Sequence, residues 1–194
     1  DGLPEEFDLL PPLERSVKNL VPDASKNLPL IQDVLLHAKE NVQCDFLVYT
    51  NLDIILTPHF YSSVVYYLNQ GHDALVINRQ RVSQALENIE DLPAIFAEKG
   101  MIHPGFDCFV FKRDLLEKID MGNICLGIPF IGVGLAHWVF SLSKNPLFLG
   151  NANMTRHVGL EVMPKVDPVL YKHNRQEFLR IKQRIPWKEN LHKF

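Results

Sequence analysis

The stretch DFLVYTNLDIIL, residues 45–56, is the part of the sequence that decides the fold. Its apolar, aromatic and β-branched side chains run almost without interruption, which is typical of a strand that is covered on both faces. The segment before it, residues 28–41, carries apolar residues at helical spacing with polar residues between them, and so predicts an amphipathic helix. The centre of the chain is therefore predicted to be a buried strand with a helix beside it.

Strands and helices alternate through most of the remaining sequence. Further strands are predicted over 73–79, 106–112, 146–151 and 154–159, the last two as a closing pair, and helices over 59–70, 83–99, 114–119 and 129–144. This alternation is typical of helices packed on both faces of a sheet. We therefore expect an α/β fold, a three-layer sandwich with a mainly parallel sheet.

The chain divides by composition into residues 1–27, 28–160 and 161–194. The first part is rich in proline and predicts an irregular lead-in, and the second carries the alternating elements. The third is rich in Lys, Arg and His and has a helical pattern near residues 173–184. Two alternatives stay open for this third part: a basic extension that packs on the domain, or a lid.

The composition excludes several classes of protein. With 194 residues, 46% of them hydrophobic and 22% charged, the chain can bury a sizeable core without disulfides or a structural metal. The net charge of -3 argues against a protein that covers nucleic acid phosphates, and no apolar run reaches the roughly 18–20 residues that cross a bilayer. The three cysteines are not closely spaced, which favours free thiols and a cytoplasmic protein; a fragment of a lumenal enzyme is the alternative.

Asn51, Leu52 and Asp53 interrupt the deciding stretch at the predicted end of a buried strand. In open α/β sheets, ligands bind at the carboxyl ends of strands, so Asp53 is well placed to hold a divalent cation. Mg²⁺ and Mn²⁺ prefer oxygen ligands and often take one or two carboxylates together with substrate phosphates. The alternative is that Asp53 caps or turns the chain, as Asp often does.

Two histidines mark the other candidate positions. His157 lies in the last predicted strand and is a candidate metal ligand because imidazole binds metals; a structural or solvated histidine is the alternative. His103 opens the segment HPGFD, residues 103–107. Gly105 permits a ligand to approach the backbone there, and Asp107 or His103 would act as a general base if either points into the cleft. The alternative is a plain turn.

In their order and spacing these features resemble the GT-A glycosyltransferases, which use nucleotide-sugar donors. The resemblance covers about residues 28–160 and is carried by the strand YTNLDIIL, the strand that ends in INR, the glycine turn before FVF, the apolar helix and the segment TRHVG. It implies a degenerate DxD motif, Asn51 and Asp53, that binds the donor. It also implies that Asp53 and His157 hold Mn²⁺ or Mg²⁺ and that residues 103–107 form the acceptor loop.

The implied function is that of a metal-dependent, hexosyltransferase-like enzyme, which moves a sugar from a nucleotide-sugar donor to a hydroxyl of a sugar, glycan or other acceptor. Asp107 is the first candidate for the base that deprotonates this hydroxyl, and Asp120 is the second. Arg79 and Arg156 lie next to predicted strand ends and are expected on the donor diphosphate. If the tail is a lid, the residues expected to close over the diphosphate are Lys172, His173 and Arg175.

Three departures from the GT-A pattern leave other functions open. Asn51 replaces the first Asp of the motif, the segment GIPFIGVGL (127–135) carries no acidic pair, and the strand–helix–strand unit that holds the nucleotide base does not precede Asp53. The main alternative is a non-catalytic α/β binding or scaffold domain of the same fold. A further alternative is a nucleotidyltransferase, which releases pyrophosphate.

Overall fold

The structure, a computed structural model, describes residues 9–160 and 166–185. Within these ranges the helices and strands are, in chain order, α1 (Ile31–Asn41), β1 (Phe46–Thr50), β2 (Ile55–Leu56), α2 (Phe60–Asn69), β3 (Ala74–Ile77), β4 (Gln80–Val82), α3 (Leu92–Ala97), β5 (Met101–Ile102), β6 (Cys108–Lys112), α4 (Ile131–Leu142), β7 (Pro146–Leu149), β8 (Thr155–Val158) and α5 (Pro168–Lys182). Short 3-10 helices occupy Val17–Asn19, Ile89–Asp91 and Arg113–Glu117. The predicted α/β class is confirmed.

The deciding stretch forms two strands rather than one. A turn at residues 51–53 separates β1 from β2. It is closed by a hydrogen bond from the amide of Ile54 to the carbonyl of Asn51, at 3.2 Å. β1 belongs to one sheet and β2 to another. The expectation that this stretch is covered on both faces is wrong, because β1 is an edge strand with intermediate to exposed side chains. The polar turn therefore lies at the junction of the two sheets.

The main sheet has the strand order β1-β6-β3-β7. β6 pairs antiparallel with both β1 and β3, whereas β3 pairs parallel with β7. β1, β3 and β7 thus run in one direction, as crossover connections through helices require. The expectation of a mainly parallel sheet is nevertheless wrong, because β6 returns in the opposite direction and inserts between β1 and β3.

The second sheet has the order β2-β8-β4-β5, in which β8 runs antiparallel to β2 and parallel to β4. The predicted closing pair of strands is wrong, since β7 and β8 belong to different sheets. Between them the chain turns through residues 150–153, where Asn153 adopts a positive φ of 57°. This turn carries the chain from the main sheet to the second sheet and so places β8 beside β2.

Alternate residues of the central strands face two separate cores. Val76 and Phe109 pack with α1, α4 and α5, whereas Leu75 and Val110 pack with α2 on the opposite face. The alternation follows from the two-residue period of a strand. The main sheet thus has helices on both faces, and the full three-layer GT-A sandwich stays a prediction.

The tail helix α5 packs on the domain. Its side chains Leu170, Asn174, Phe178 and Ile181 are buried, and Leu170 shares a small core with Val17 of the lead-in. The domain boundary predicted at residue 161 and the end of the predicted extension, 186–194, lie outside the described residues, so the three-part division stays a prediction. Among the residues that the structure describes, no helix is long and apolar enough to cross a membrane.

Candidate functional site

A cleft with a volume of about 880 Å³ opens between the end of β1 and the segment before α4. Its lining is partly polar and partly apolar. The polar lining comes from Thr50, Asn51, Asp53, Arg79, Asp107 and His157, and much of the apolar lining comes from residues 126–132, here called the wall segment. Strand ends and turns supply the polar groups, as expected for ligand sites in α/β folds.

Asp53 and His157 form a pair at the mouth of the cleft. Asp53 Oδ2 lies 3.2 Å from His157 Nε2, with the carboxylate more exposed than the imidazole. The turn after β1 presents Asp53, and the pairing of β2 with β8, in which Ile55 lies opposite Arg156, brings His157 beside it. The two residues predicted as metal ligands are therefore neighbours.

The geometry of this pair fits a divalent cation. Two adjacent ligand atoms that each lie roughly 2.1 Å from an octahedral ion are about 3.0 Å apart, close to the separation of Asp53 and His157. A carboxylate oxygen and an imidazole nitrogen suit Mn²⁺. In the part of the chain that the structure describes, no group of three or more His, Cys, Asp or Glu residues is arranged to hold a metal ion. A cation bound by this pair would therefore need its remaining ligands from water or from a bound ligand.

Arg79 and Asp107 form a second, buried pair on the floor of the cleft. Arg79 Nη1 lies 3.4 Å from Asp107 Oδ1, and the two residues are 9% and 7% exposed. Burial raises the pKa of Asp107 and the nearby Asp53 adds to this rise, whereas Arg79 and His157 act against it. Asp107 Oδ2 has no hydrogen-bond partner among the described residues. This oxygen is therefore a buried acceptor without a partner in the described part of the chain, on a residue that lines the cleft.

His103 lies behind the cleft rather than in its lining. It is 8% exposed, and its Nε2 lies 2.7 Å from the point where a Cβ at Gly105 would stand, so a larger residue at 105 would displace the imidazole. Burial, together with the charges of Arg79, Arg81 and His157, lowers the pKa of His103 to about 4. His103 is therefore a neutral imidazole at physiological pH, and of the two bases predicted from the sequence Asp107 is the one that lines the cleft.

Arg156 does not join the other predicted site residues. It is 1% exposed and donates from Nη2 to the carbonyls of Glu98 at 2.9 Å and Phe96 at 3.3 Å. Burial lowers its pKa. Because side chains alternate along a strand, Arg156 and His157 point to opposite faces of β8, and this period could have separated them from the sequence. Of the two arginines predicted on the diphosphate, Arg79 is the one in the cleft.

The sequence predicts the helix over 129–144 but not that the wall segment lines the cleft. Gly132 is the clearest local signal, because a Cβ there would stand 2.3 Å from the carbonyl oxygen of Phe106. The glycine lets the start of α4 approach the backbone of Phe106. The tail residues predicted as a lid lie on α5 and do not line the cleft; one of them, His173, contacts the carbonyl of Asn123 through Nε2 at 2.8 Å.

Comparison with known proteins gives a similarity of fold. No protein-family model matches this chain, and no curated protein matches it in sequence. Among solved structures it is similar to the crystal structure of residues 1–349 of S. aureus TarS in complex with UDP-GlcNAc, with a TM-score of 0.52 and 11% identity over 86% of this chain and 50% of that one. The chain therefore spans about half the length of the structure it matches. At this identity the likeness shows a glycosyltransferase-like α/β fold.

Proposed function

We propose that this chain transfers a sugar from a nucleotide-sugar donor to a hydroxyl acceptor, with a divalent cation held between Asp53 and His157. The observation that carries the proposal is the pairing of these two side chains, 3.2 Å apart, in the same cleft as the buried carboxylate of Asp107. Metal-assisted transfer from a diphosphate uses a cation that stabilises the leaving group and a base that takes the proton of the acceptor, and these three residues would supply both.

Each residue has a distinct part in this proposal. A cation bound by Asp53 and His157 would offset the negative charge of the departing nucleoside diphosphate. Arg79 adds a positive charge on the cleft floor, and Asn51 offers an amide to the donor. Asp107 accepts the proton of the acceptor hydroxyl at its unpartnered Oδ2. A base that deprotonates the attacking hydroxyl predicts inversion at the sugar carbon.

The choice of donor is supported by the similarity of fold. The TarS structure contains UDP-GlcNAc, a nucleotide sugar. The cleft volume of about 880 Å³ lies within the ordinary range for small-molecule sites, roughly 300–1,000 Å³. Its lining, partly polar and partly apolar, suits a ligand with a charged diphosphate and less polar rings.

The test is an assay of sugar transfer and donor hydrolysis across a panel of nucleotide sugars that includes UDP-GlcNAc. Wild type, Asp53→Ala and the surface control Asp114→Ala are compared with Mn²⁺, with Mg²⁺ and with EDTA. We expect metal-dependent release of nucleoside diphosphate that Asp53→Ala abolishes and Asp114→Ala leaves intact. Metal-independent activity, or full activity in Asp53→Ala, contradicts the proposal, and release of pyrophosphate identifies a nucleotidyltransferase instead.

A non-catalytic binding or scaffold domain is the second candidate. It is favoured by Asn51, which replaces a carboxylate of the motif, and by the first turn of α4, which has no acidic residue. Calorimetry with UDP and Mn²⁺ separates the candidates. Binding without turnover on the whole panel favours a binding domain, and the absence of detectable binding favours a scaffold.

A further inference from the structure

Phe130 has an unusual backbone conformation at the edge of the cleft. It is the N-cap of α4 and belongs to the wall segment, and its φ of 89° and ψ of -9° are left-handed. For a residue with a side chain this conformation costs roughly 1–2 kcal/mol. Such strain persists where the surrounding structure determines the backbone, and it is concentrated at functional sites. Contacts of Phe130 with the surrounding structure must therefore maintain this conformation.

Two aromatic rings of α5 hold the side chain of Phe130. Its ring lies 5.4 Å from that of Phe178 at an interplanar angle of 26°, and 5.3 Å from that of Tyr171 at 54°. Aromatic pairs at such separations contribute about 0.5–1.5 kcal/mol each beyond the area they bury. Together the two contacts are large enough to offset the backbone strain.

Asn174 holds the backbone of the same segment. It is fully buried on α5, and its Oδ1 accepts from the amide of Cys125 at 2.9 Å. Its Nδ2 donates to the carbonyls of Cys125 at 3.0 Å, Pro129 at 3.1 Å and Ile128 at 3.4 Å. The buried side-chain amide of Asn174 thus makes all of its hydrogen bonds with residues 125–129, which lead to Phe130.

The three side chains act from one face of α5. Asn174 follows Tyr171 by three residues and precedes Phe178 by four, the spacing that places side chains above one another on a helix. We propose that Asn174 is a positioning residue, which together with Tyr171 and Phe178 holds the wall segment in the conformation that binds the nucleotide sugar. This inference rests on the proposed function, and it assigns the basic tail helix a part in the site.

The experiment measures the wall segment and nucleotide binding separately in the full chain. The variants are Asn174→Ala, Tyr171→Ala, whose partly exposed ring is removed at less risk to folding, and Val64→Ala, a control in the core on the other face of the sheet. Hydrogen exchange is followed at the amides of Leu126 and Gly134, which bond to Pro29 and Phe130 rather than to Asn174. Calorimetry gives the affinity for UDP with Mn²⁺.

We expect both α5 variants to speed exchange at Leu126 and Gly134 by about tenfold or more and to weaken UDP binding by a similar factor, because a loosened wall must be ordered on binding. The control Val64→Ala, compared at an equal loss of thermal stability, should change neither the exchange rates nor the affinity for UDP by more than about twofold. Exchange that rises equally in the control, or UDP binding that is unchanged when the wall loosens, overturns the inference. If wild type binds no UDP while the α5 variants selectively loosen the wall, the proposed function fails and the positioning by α5 stands.

Discussion

Asp53 and His157 are 104 residues apart in the sequence, yet Oδ2 of the one lies 3.2 Å from Nε2 of the other. The pairing of β2 with β8 brings the two residues together, because Asp53 shortly precedes β2 and His157 lies in β8. A cation that binds to both would couple the two side chains energetically. The pair can therefore be tested as a unit.

A double-mutant cycle on Mn²⁺ affinity tests this coupling. In the presence of UDP, we expect Asp53→Ala and His157→Ala each to weaken Mn²⁺ binding by at least about tenfold, because even the outer partners of metal ligands contribute that much. The double variant should lose less than the product of the two single losses. Paramagnetic resonance of free Mn²⁺ measures the affinity, with Asp114→Ala as the control. Strictly multiplicative losses would show that the two residues do not share an ion.

The sequence is informative where chemistry-bearing residues lie at or near predicted strands. Asn51, Asp53 and Arg79 lie at predicted strand ends, Asp107 lies where a predicted strand begins and His157 lies within one, and the structure places all five in one cleft. Local patterns suffice for this because strand ends gather at the edges of sheets. The roles of these residues stay predictions.

The remaining features depend on long-range packing. The direction of β6, the separation of β7 from β8 and the contacts of Asn174 with the wall segment each join parts of the chain that no local pattern connects. The position of His103 outside the cleft lining has a related cause, since its burial results from packing over Gly105 and beside Arg79 and Arg81. Strand direction, strand pairing and the burial of a particular side chain cannot be read from residue types at fixed spacing.

Asp107→Asn tests the proposed general base. The amide keeps the shape of the carboxylate but cannot accept a proton, so we expect kcat for sugar transfer to fall by about 10²- to 10⁴-fold. Donor affinity should change little, because Asp107 is assigned to the acceptor hydroxyl. Single-turnover kinetics and calorimetry with UDP separate the two effects. An equal loss of binding and turnover would assign Asp107 to the donor instead.

Arg79→Met tests the electrostatic link to Asp107. The charge of Arg79 opposes the rise in the pKa of Asp107 that burial causes, so its removal should raise this pKa further. Because the base must be ionised to act, the acid limb of the profile of kcat against pH should move to higher pH. Arg79→Lys, which keeps the charge, is the control and should move the limb less. A limb at the same pH in all three proteins contradicts the assignment of Asp107 as base.

The buried imidazole of His103 should lower the free energy of unfolding in mild acid. Its pKa is about 4 in the folded chain, below the usual value near 6.5, so between these values the unfolded chain binds a proton that the folded chain does not. The free energy of unfolding is therefore fully retained above pH 6.5 and falls as the pH drops toward 4. Through this residue it should be about 2 kcal/mol lower at pH 5 than at pH 7.5.

Urea unfolding of wild type and His103→Gln at these two pH values measures the contribution of His103. Other groups, including Asp107, titrate in both proteins, so the difference between them isolates the imidazole. Between the two pH values, the free energy of unfolding of His103→Gln should change by about 2 kcal/mol less than that of wild type. Equal sensitivity in the two proteins would mean that the imidazole is protonated in the folded chain, contrary to its buried position beside two arginines.

Arg156→Met distinguishes an arginine that supports the fold from one that binds a ligand. Its removal leaves the carbonyls of Phe96 and Glu98 without their donor, which should lower the free energy of unfolding by on the order of 2 kcal/mol. Because Arg156 is buried away from the cleft, the dissociation constant for UDP with Mn²⁺ should stay within about twofold of wild type below the unfolding transition. Arg79→Met, measured in parallel, should instead weaken UDP binding, since Arg79 lines the cleft. If Arg156→Met weakened UDP binding as much as Arg79→Met at matched stability, Arg156 would act on the donor, as the sequence alone predicted.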